Sequence, residues 1–367
     1  MIVSRLSFLH YRNLCEGEFL PDPRMNVIFG QNAQGKTNLL EALWLFTGGR
    51  SFRGSRDSEL IAFGQDATRL QIDFFSEERD QSAVLTIQNK KRSAAINGVQ
   101  YGGVMELVGK FRAVIFSPEH LSLVKDGPAL RRSFLDGALC QLRPVYAKLL
   151  FQYNRVLQQR NALLKDIPRH AELLDTLEIW DEKLAQRGAR LIMERSEYVR
   201  LLSEPARRVY EGISGAREQF SICYRTVSGE EPQTEEQWRQ YLFDLLGRSR
   251  REDLSAGFTT VGPHRDDLEI RVDERQARSF GSQGQQRSCV LALKLAEAEL
   301  LQTLSGEAPV ILLDDVMSEL DSGRQDFLLH QLGEKQVFLT CCDPETAARY
   351  SGGGRFEMEQ GRLTVRQ

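Results

Sequence analysis

The sequence predicts an α/β fold in which both ends of the chain build one head and a helical lobe interrupts them. Three observations predict it. A short apolar strand, Met25 to Phe29, runs into a glycine-rich turn and then a helix. A second apolar strand, Val310 to Leu313, lies far along the chain and closes on Asp314 and Asp315. Between them, apolar residues from Tyr146 to Leu202 recur every three or four positions, the period of helices packed on one face.

The elements follow in order. Residues 2–9 read as a strand, and Lys36 to about Phe46 as a helix with Leu39, Leu40, Leu43 and Phe46 at helical spacing. Leu70, Ile72 and Phe74 alternate with polar residues, and Val84 to Thr86 do so less cleanly. Asn97-Gly98 marks a hairpin turn, so an antiparallel sheet should flank the first strand. Tyr146, Leu149, Tyr153, Val156 and Leu163 share one helix face, which Lys165 to Arg169, with Pro168, brings to an end. Leu173, Leu177, Trp180, Leu184, Leu191, Tyr198 and Leu202 mark a second stripe. Few heptads are sustained, and Gly188 and Pro205 favour a compact pair over a long rod. Strands return at Phe220 to Tyr224 and Leu268 to Val272, then a helix from about Gln285 to Leu304, then strands at Val310 to Leu313 and Val337 to Thr340. The expected division is a first part of the head over 1–120, a helical lobe over 121–255 and the rest of the head over 256–367.

Composition narrows the function. The 367 residues, 41% hydrophobic and 27% charged, describe an ordinary globular chain. A net charge of -3 excludes a protein that coats nucleic acid by bulk charge, although a local basic face remains open. No stretch approaches the roughly 18 apolar residues of a membrane span, and Met1 to Arg5 lacks a secretory pattern. A cytoplasmic location is expected. Six cysteines form no disulfide framework, and the five scattered histidines suggest no metal site.

Gly30-Gln31-Asn32-Ala33-Gln34-Gly35-Lys36-Thr37 fits the phosphate-binding pattern GxxxxGK[ST], with a strand before it and a helix after. Glycines let backbone N–H groups turn inward around phosphate oxygens, and the helix adds its positive end. Lys36 would neutralise the β- and γ-phosphates, and the Thr37 hydroxyl would ligate Mg²⁺. Asp314 would hold that ion through its water shell, and Asp315 would orient the attacking water. ATP and Mg²⁺ are the implied ligands. Phe280-Gly281-Ser282-Gln283-Gly284-Gln285-Gln286 opens the long later helix, where the Ser282 hydroxyl and Gly284 amide could meet a phosphate.

The order of these segments, closed by Ser318-Glu319-Leu320-Asp321, resembles the signature, Walker B and D-loop series of ABC-type ATPases. The match implies an ABC-type P-loop ATPase head with an antiparallel flanking sheet and an inserted helical lobe. Ser117-Pro118-Glu119, Leu123 to Pro128, Arg131-Arg132-Ser133-Phe134-Leu135-Asp136, Gly262-Pro263-His264-Arg265-Asp266-Asp267 and Tyr11-Arg12-Asn13-Leu14 narrow the resemblance to the RecF family of SMC-like proteins. That resemblance covers essentially the whole chain. It implies ATP-dependent dimerisation on gapped DNA during recombinational repair and replication restart, nucleoid association, RecO and RecR as partners, and an approach of Arg12 to the nucleotide. ABC transporters usually carry Glu where this chain has Asp315 and His where it has Thr340, so slow, switch-like hydrolysis is expected. Neither Gln141 nor Gln152 is assigned to a Q-loop.

Two rivals stay open at this level. A transporter's nucleotide-binding subunit is disfavoured by the long interval between Lys36 and Ser282. A GTPase or small-molecule kinase is disfavoured by the signature-like and D-loop-like segments. Of the basic runs, Lys90-Lys91-Arg92, Arg131-Arg132 and Arg248-Ser249-Arg250-Arg251, sequence cannot say which converge.

Overall fold

A computed structural model describes residues 1–226, 232–343, 347 and 352–366. The chain opens with strands β1 (Ile2–Leu9), β2 (Gly17–Phe19) and β3 (Met25–Phe29), then helix α1 (Lys36–Leu45). Four antiparallel strands follow, β4 (Ala67–Ser76), β5 (Arg79–Gln88), β6 (Lys91–Ile96) and β7 (Val99–Tyr101), and then β8 (Ala113–Phe116). Helices α2 (Ser122–Lys125), α3 (Pro128–Leu142), α4 (Pro144–Asp166) and α5 (Leu177–Ser214) come next. Then come β9 (Phe220–Arg225), α6 (Glu235–Arg248), α7 (Arg250–Ala256), β10 (Asp267–Val272), β11 (Arg275–Gln276) and α8 (Ala277–Phe280). The chain finishes with α9 (Gln283–Ser305), β12 (Val310–Asp314), α10 (Ser322–Leu332), β13 (Val337–Cys341), β14 (Gly354–Glu359) and β15 (Arg362–Arg366).

The central sheet has the order β15-β14-β3-β13-β12-β8, with β14, β3, β13, β12 and β8 parallel. Its inner strands β8, β12 and β13 are buried at every position and mostly apolar, because both faces are covered. Val27, Phe29, Ile311, Leu313, Val337 and Leu339 point into a core shared with α3, α5 and α9. Their neighbours Ile28, Leu312 and Phe338 point the other way, onto α1 and the sheet β2-β1-β4-β5-β6-β7. Distant ends of the chain therefore meet in one sheet, and the loops after β3 and β12 emerge at the same edge.

Two details of the lobe bear on the sequence reading. The pairing of β9 with β10, for example Ile222 opposite Ile270, joins residues on both sides of the division expected at 255. Backbone pairing therefore crosses that position. Pro205 does not end a helix: α5 runs 38 residues through it. Leu202, Ala206 and Val209 are buried on either side, and that packing outweighs one lost backbone bond. Gly188 admits close packing, since a Cβ there would lie 3.0 Å from Leu242.

Candidate nucleotide site

The loop from Gly30 to Gly35 is built by close backbone approach. Gly30 has φ +149°, and a Cβ on it would lie 2.3 Å from the Met358 carbonyl oxygen in β14. Behind the loop, the tight β14–β15 turn at Gln360-Gly361 docks on Gln34. The Gly361 N–H donates to the Gln34 carbonyl (3.0 Å), and the Gln360 N–H to Gln34 Oε1 (2.6 Å). Asn13 Nδ2 donates to the Ala33 carbonyl (3.1 Å), and the Cys342 thiol to Asn32 Oδ1 (2.9 Å). The loop is thus held from three sides. The C-terminal turn was missed by sequence reading, although Gln360-Gly361 between alternating apolar residues is a hairpin signal.

Lys36 is buried, and its ammonium donates to the carbonyls of Gly30 (2.5 Å) and Gln31 (2.8 Å). Thr37, one residue on, donates from Oγ1 to Asp314 Oδ1 (2.9 Å). This contact joins the start of α1 to the end of β12, far apart in sequence. Thr340 at the end of β13 donates to the same Asp314 oxygen (2.9 Å), and its Oγ1 accepts the Asp315 N–H (2.9 Å). Burial raises the Asp314 carboxyl above its usual range, the hydroxyls of Thr37 and Thr340 oppose that shift, and the charges of Glu119 and Asp315 add to it. Glu119, from the turn after β8, therefore faces the same edge. A buried carboxylate that accepts from two hydroxyls and lies near two other acids gains from a cation. No three His, Cys, Asp or Glu side chains converge on a metal site among the described residues. An ion beside Thr37 and Asp314 would take further oxygens from phosphate and water, as Mg²⁺ does. The residues present fit Mg²⁺–nucleotide.

Ser282 caps α9: its Oγ accepts the Gln285 N–H (3.2 Å) while Gln285 Oε1 accepts the Ser282 N–H (2.8 Å), a reciprocal capping box. The hydroxyl proton and the first-turn N–H groups, Gly284 among them, still point outward. Arg324 of α10 reaches the Gly284 carbonyl (3.5 Å) and links the signature turn to the segment after β12.

Arg12, expected to approach the nucleotide, is engaged with α1 and the segment after it. Its guanidinium forms a two-pronged pair with the buried Glu41 of α1 (2.5 and 3.0 Å) and donates to Ser55 (2.7 Å). It is committed to holding the 51–59 segment against α1. Gln141 is also committed, its Oε1 accepting the Ala113 N–H (2.8 Å). His264 Nε2 donates to the Thr259 carbonyl (3.1 Å), and its Nδ1 shares a hydrogen bond with Tyr153 Oη (2.7 Å), a structural setting.

Strand order, P-loop, Walker B edge and signature helix together make the fold that of an ABC-type ATPase head. The chain matches the RecF/RecN/SMC N terminal domain family over residues 2–362. It is 41% identical over 351 residues to the DNA replication and repair protein RecF of Ruminiclostridium cellulolyticum, covering 94% of each chain. The chain belongs to the RecF family. A solved structure of the recombination mediator protein RecF with ATP, in the RecFOR pathway, superposes with a TM-score of 0.93 at 36% identity, over 100% of this chain and 98% of that one. An Smc head domain from Pyrococcus furiosus superposes at 0.55 with 15% identity, covering 100% of this chain and 96% of that one, a likeness of fold alone. RecF-family membership agrees with the segments read from sequence around Ser117, Arg131 and Gly262. No helix among the described residues is long and apolar enough to cross a membrane.

Proposed function

We propose that this chain is an ATP-dependent, DNA-binding switch of replication and recombinational repair. The observation that carries it is the contact of Thr37 with Asp314, which completes a Mg²⁺–ATP cradle beside Lys36. Bound Mg²⁺–ATP supplies the phosphoanhydride bond and a γ-phosphate that two protomers can share. Lys36 gives up its two carbonyl contacts to neutralise the phosphate charge, and the N–H groups of 30–37 line the loop around the oxygens. Thr37 and Asp314 would hold the ion. Asp315, on a backbone of φ +52° whose N–H is held by Thr340, would orient the attacking water. Its reach is one methylene shorter than that of glutamate, and Thr340 offers no imidazole, so turnover is slow. Arg12 acts by positioning the 51–59 segment, since it must leave Glu41 to touch a nucleotide.

Ser282 and Gly284 meet the ATP held by the partner's P-loop, and the reverse contact occurs at the second site, as two-fold symmetry requires. The dimer forms with ATP and loosens after hydrolysis, because the ligand binds that state better. RecO and RecR are the protein partners, gapped DNA the substrate, and the nucleoid the place of action. Membership of a family whose members carry the name DNA replication and repair protein supports this reading. Fluorescent ATP and GTP titrations, followed by mobility shifts on duplex, single-stranded and gapped DNA with and without ATP, test it. Tight binding confined to one base sequence, or none with ATP present, would end the DNA reading.

A further inference from the structure

We infer that Arg50, Arg53, Arg56, Lys90 and Lys91 form one surface that grips the phosphate backbone of DNA. The inference rests on the DNA-binding reading above.

The three basic runs of the sequence have different fates. Arg131 is buried against Asp267 (2.6 and 2.9 Å), and Arg132 donates to the Asp266 carbonyl (2.7 Å). Arg250 is tied to the buried Asp181 (2.9 Å), while Arg248 and Arg251 are exposed on a single stretch of chain. Lys90 and Lys91 instead stand exposed at the tip of the β5–β6 hairpin. Arg92, next in line, turns inward to Asp57 (2.6 Å) and the Gly49 carbonyl (2.8 Å). That anchor brings the hairpin tip against the 49–57 segment, from which Arg50, Arg53 and Arg56 project exposed. The two stretches of chain thus meet with the five cations around their junction, Lys91 standing with Gln88 on the outer face of the hairpin.

They share a lack of acid partners. Exposed arginines elsewhere are of both kinds: Arg79, Arg200, Arg207, Arg225 and Arg366 are paired, whereas Arg155, Arg190 and Arg275 are in no ion pair among the described residues. None of the five is in an ion pair among the described residues; Arg53 meets only a neutral amide, Asn38 Oδ1 (3.0 Å). Asp57 is used by Arg92, and Glu59 accepts the Arg56 backbone N–H (3.2 Å). Like charges held together without counter-charge cost stability unless a polyanion joins them. A repeating phosphate backbone fits, because it releases counterions at each contact and demands no base sequence. The surface also touches the nucleotide loop. Arg53 donates to Asn38, Asn38 Nδ2 to Asn13 Oδ1 (2.6 Å), and Asn13 Nδ2 to the Ala33 carbonyl. DNA at Arg53 and nucleotide at Ala33 therefore lie three hydrogen bonds apart.

The test is fluorescence anisotropy of a labelled duplex with the full chain and ATP across a salt series. Each phosphate contact contributes about 0.9 to the slope of log affinity against log salt, so the variant R50A/R53A/R56A/K90A/K91A should be shallower by about 2 to 4.5. Its affinity at moderate salt should fall about tenfold or more. K90A/K91A, remote from α1, should flatten the slope by about 1 to 2 with fluorescent-ATP affinity unchanged. An unaltered slope in the five-site variant overturns the surface while leaving DNA binding intact. So does a loss seen only where nucleotide affinity falls in parallel. Wild-type chain that binds no DNA overturns the surface and the DNA reading together.

Discussion

Replacing Gly361 by alanine should cripple nucleotide binding from a position that touches no nucleotide. Gln360 and Gly361 have φ of 47° and 77°, a mirror-image turn that glycine eases. A Cβ on Gly361 would lie 2.0 Å from the Asn13 carbonyl oxygen, which is backbone and cannot swing aside. The left-handed residue alone costs about 1–2 kcal/mol. Relief of the clash moves the turn off the P-loop and breaks its two hydrogen bonds to Gln34, each worth about 1 kcal/mol. The matched control is Gly98→Ala: Asn97 and Gly98 form the same kind of turn, with φ of 49° and 83°, but nothing lies within 4 Å of a new Cβ. Gly98→Ala should lose only the backbone term. Gly361→Ala should lose about 2 kcal/mol more, and fluorescent-ATP affinity should drop about tenfold, since 1.4 kcal/mol is one decade. Thermal unfolding and nucleotide titration of both variants read this out. If Gly361→Ala melts like Gly98→Ala and binds ATP like wild type, the C-terminal turn does not shape the P-loop.

Other expectations follow the same geometry. Lys36→Ala should abolish measurable ATP binding in titration, whereas Asp315→Asn should bind ATP and lose most phosphate release; normal turnover by Asp315→Asn would make Asp315 structural. Arg160 is fully buried between Asp181 and Asp253 (2.7 Å each), so Arg160→Ala should cost about 3–5 kcal/mol in denaturant unfolding by leaving buried Asp253 without a cation and Asp181 with Arg250 alone. Burial holds the His264 imidazole down to about 4, partly opposed by its bond to Thr259. Between about 4 and the unfolded value near 6.5, the unfolded chain takes up a proton that the folded chain refuses. Stability should thus fall as pH drops through that window, by about 3 kcal/mol in full, and His264→Gln should flatten that part of the melting profile.

Motifs confined to a few adjacent residues were legible from sequence. The P-loop, the Asp314-Asp315 strand end and the Ser282 helix start each carry their chemistry within one turn, and the strand and helix periods around them were equally plain. What sequence left open depends on partners distant along the chain. Arg12 looks like any exposed arginine until Glu41 is seen buried beside it. The lobe's extent turns on β9 pairing with β10 across two intervening helices. Gly188 and Pro205 favour a compact pair unless the buried neighbours that hold α5 as one 38-residue helix are known. The five cations stand on two stretches of chain, and only the anchor from Arg92 to Gly49 and Asp57 brings them together.

The central claim is a composite site in which Ser282 of one protomer meets ATP on Lys36 of the other. Sedimentation of the Asp315→Asn protein with and without ATP, alone and with Ser282→Arg added, tests it most directly. Asp315→Asn should sediment as a dimer with ATP and a monomer without it. Adding Ser282→Arg should leave nucleotide bound but the protein monomeric, because the new side chain fills the interface and spares its own P-loop. A Ser282→Arg protein that dimerises normally with ATP would contradict the account.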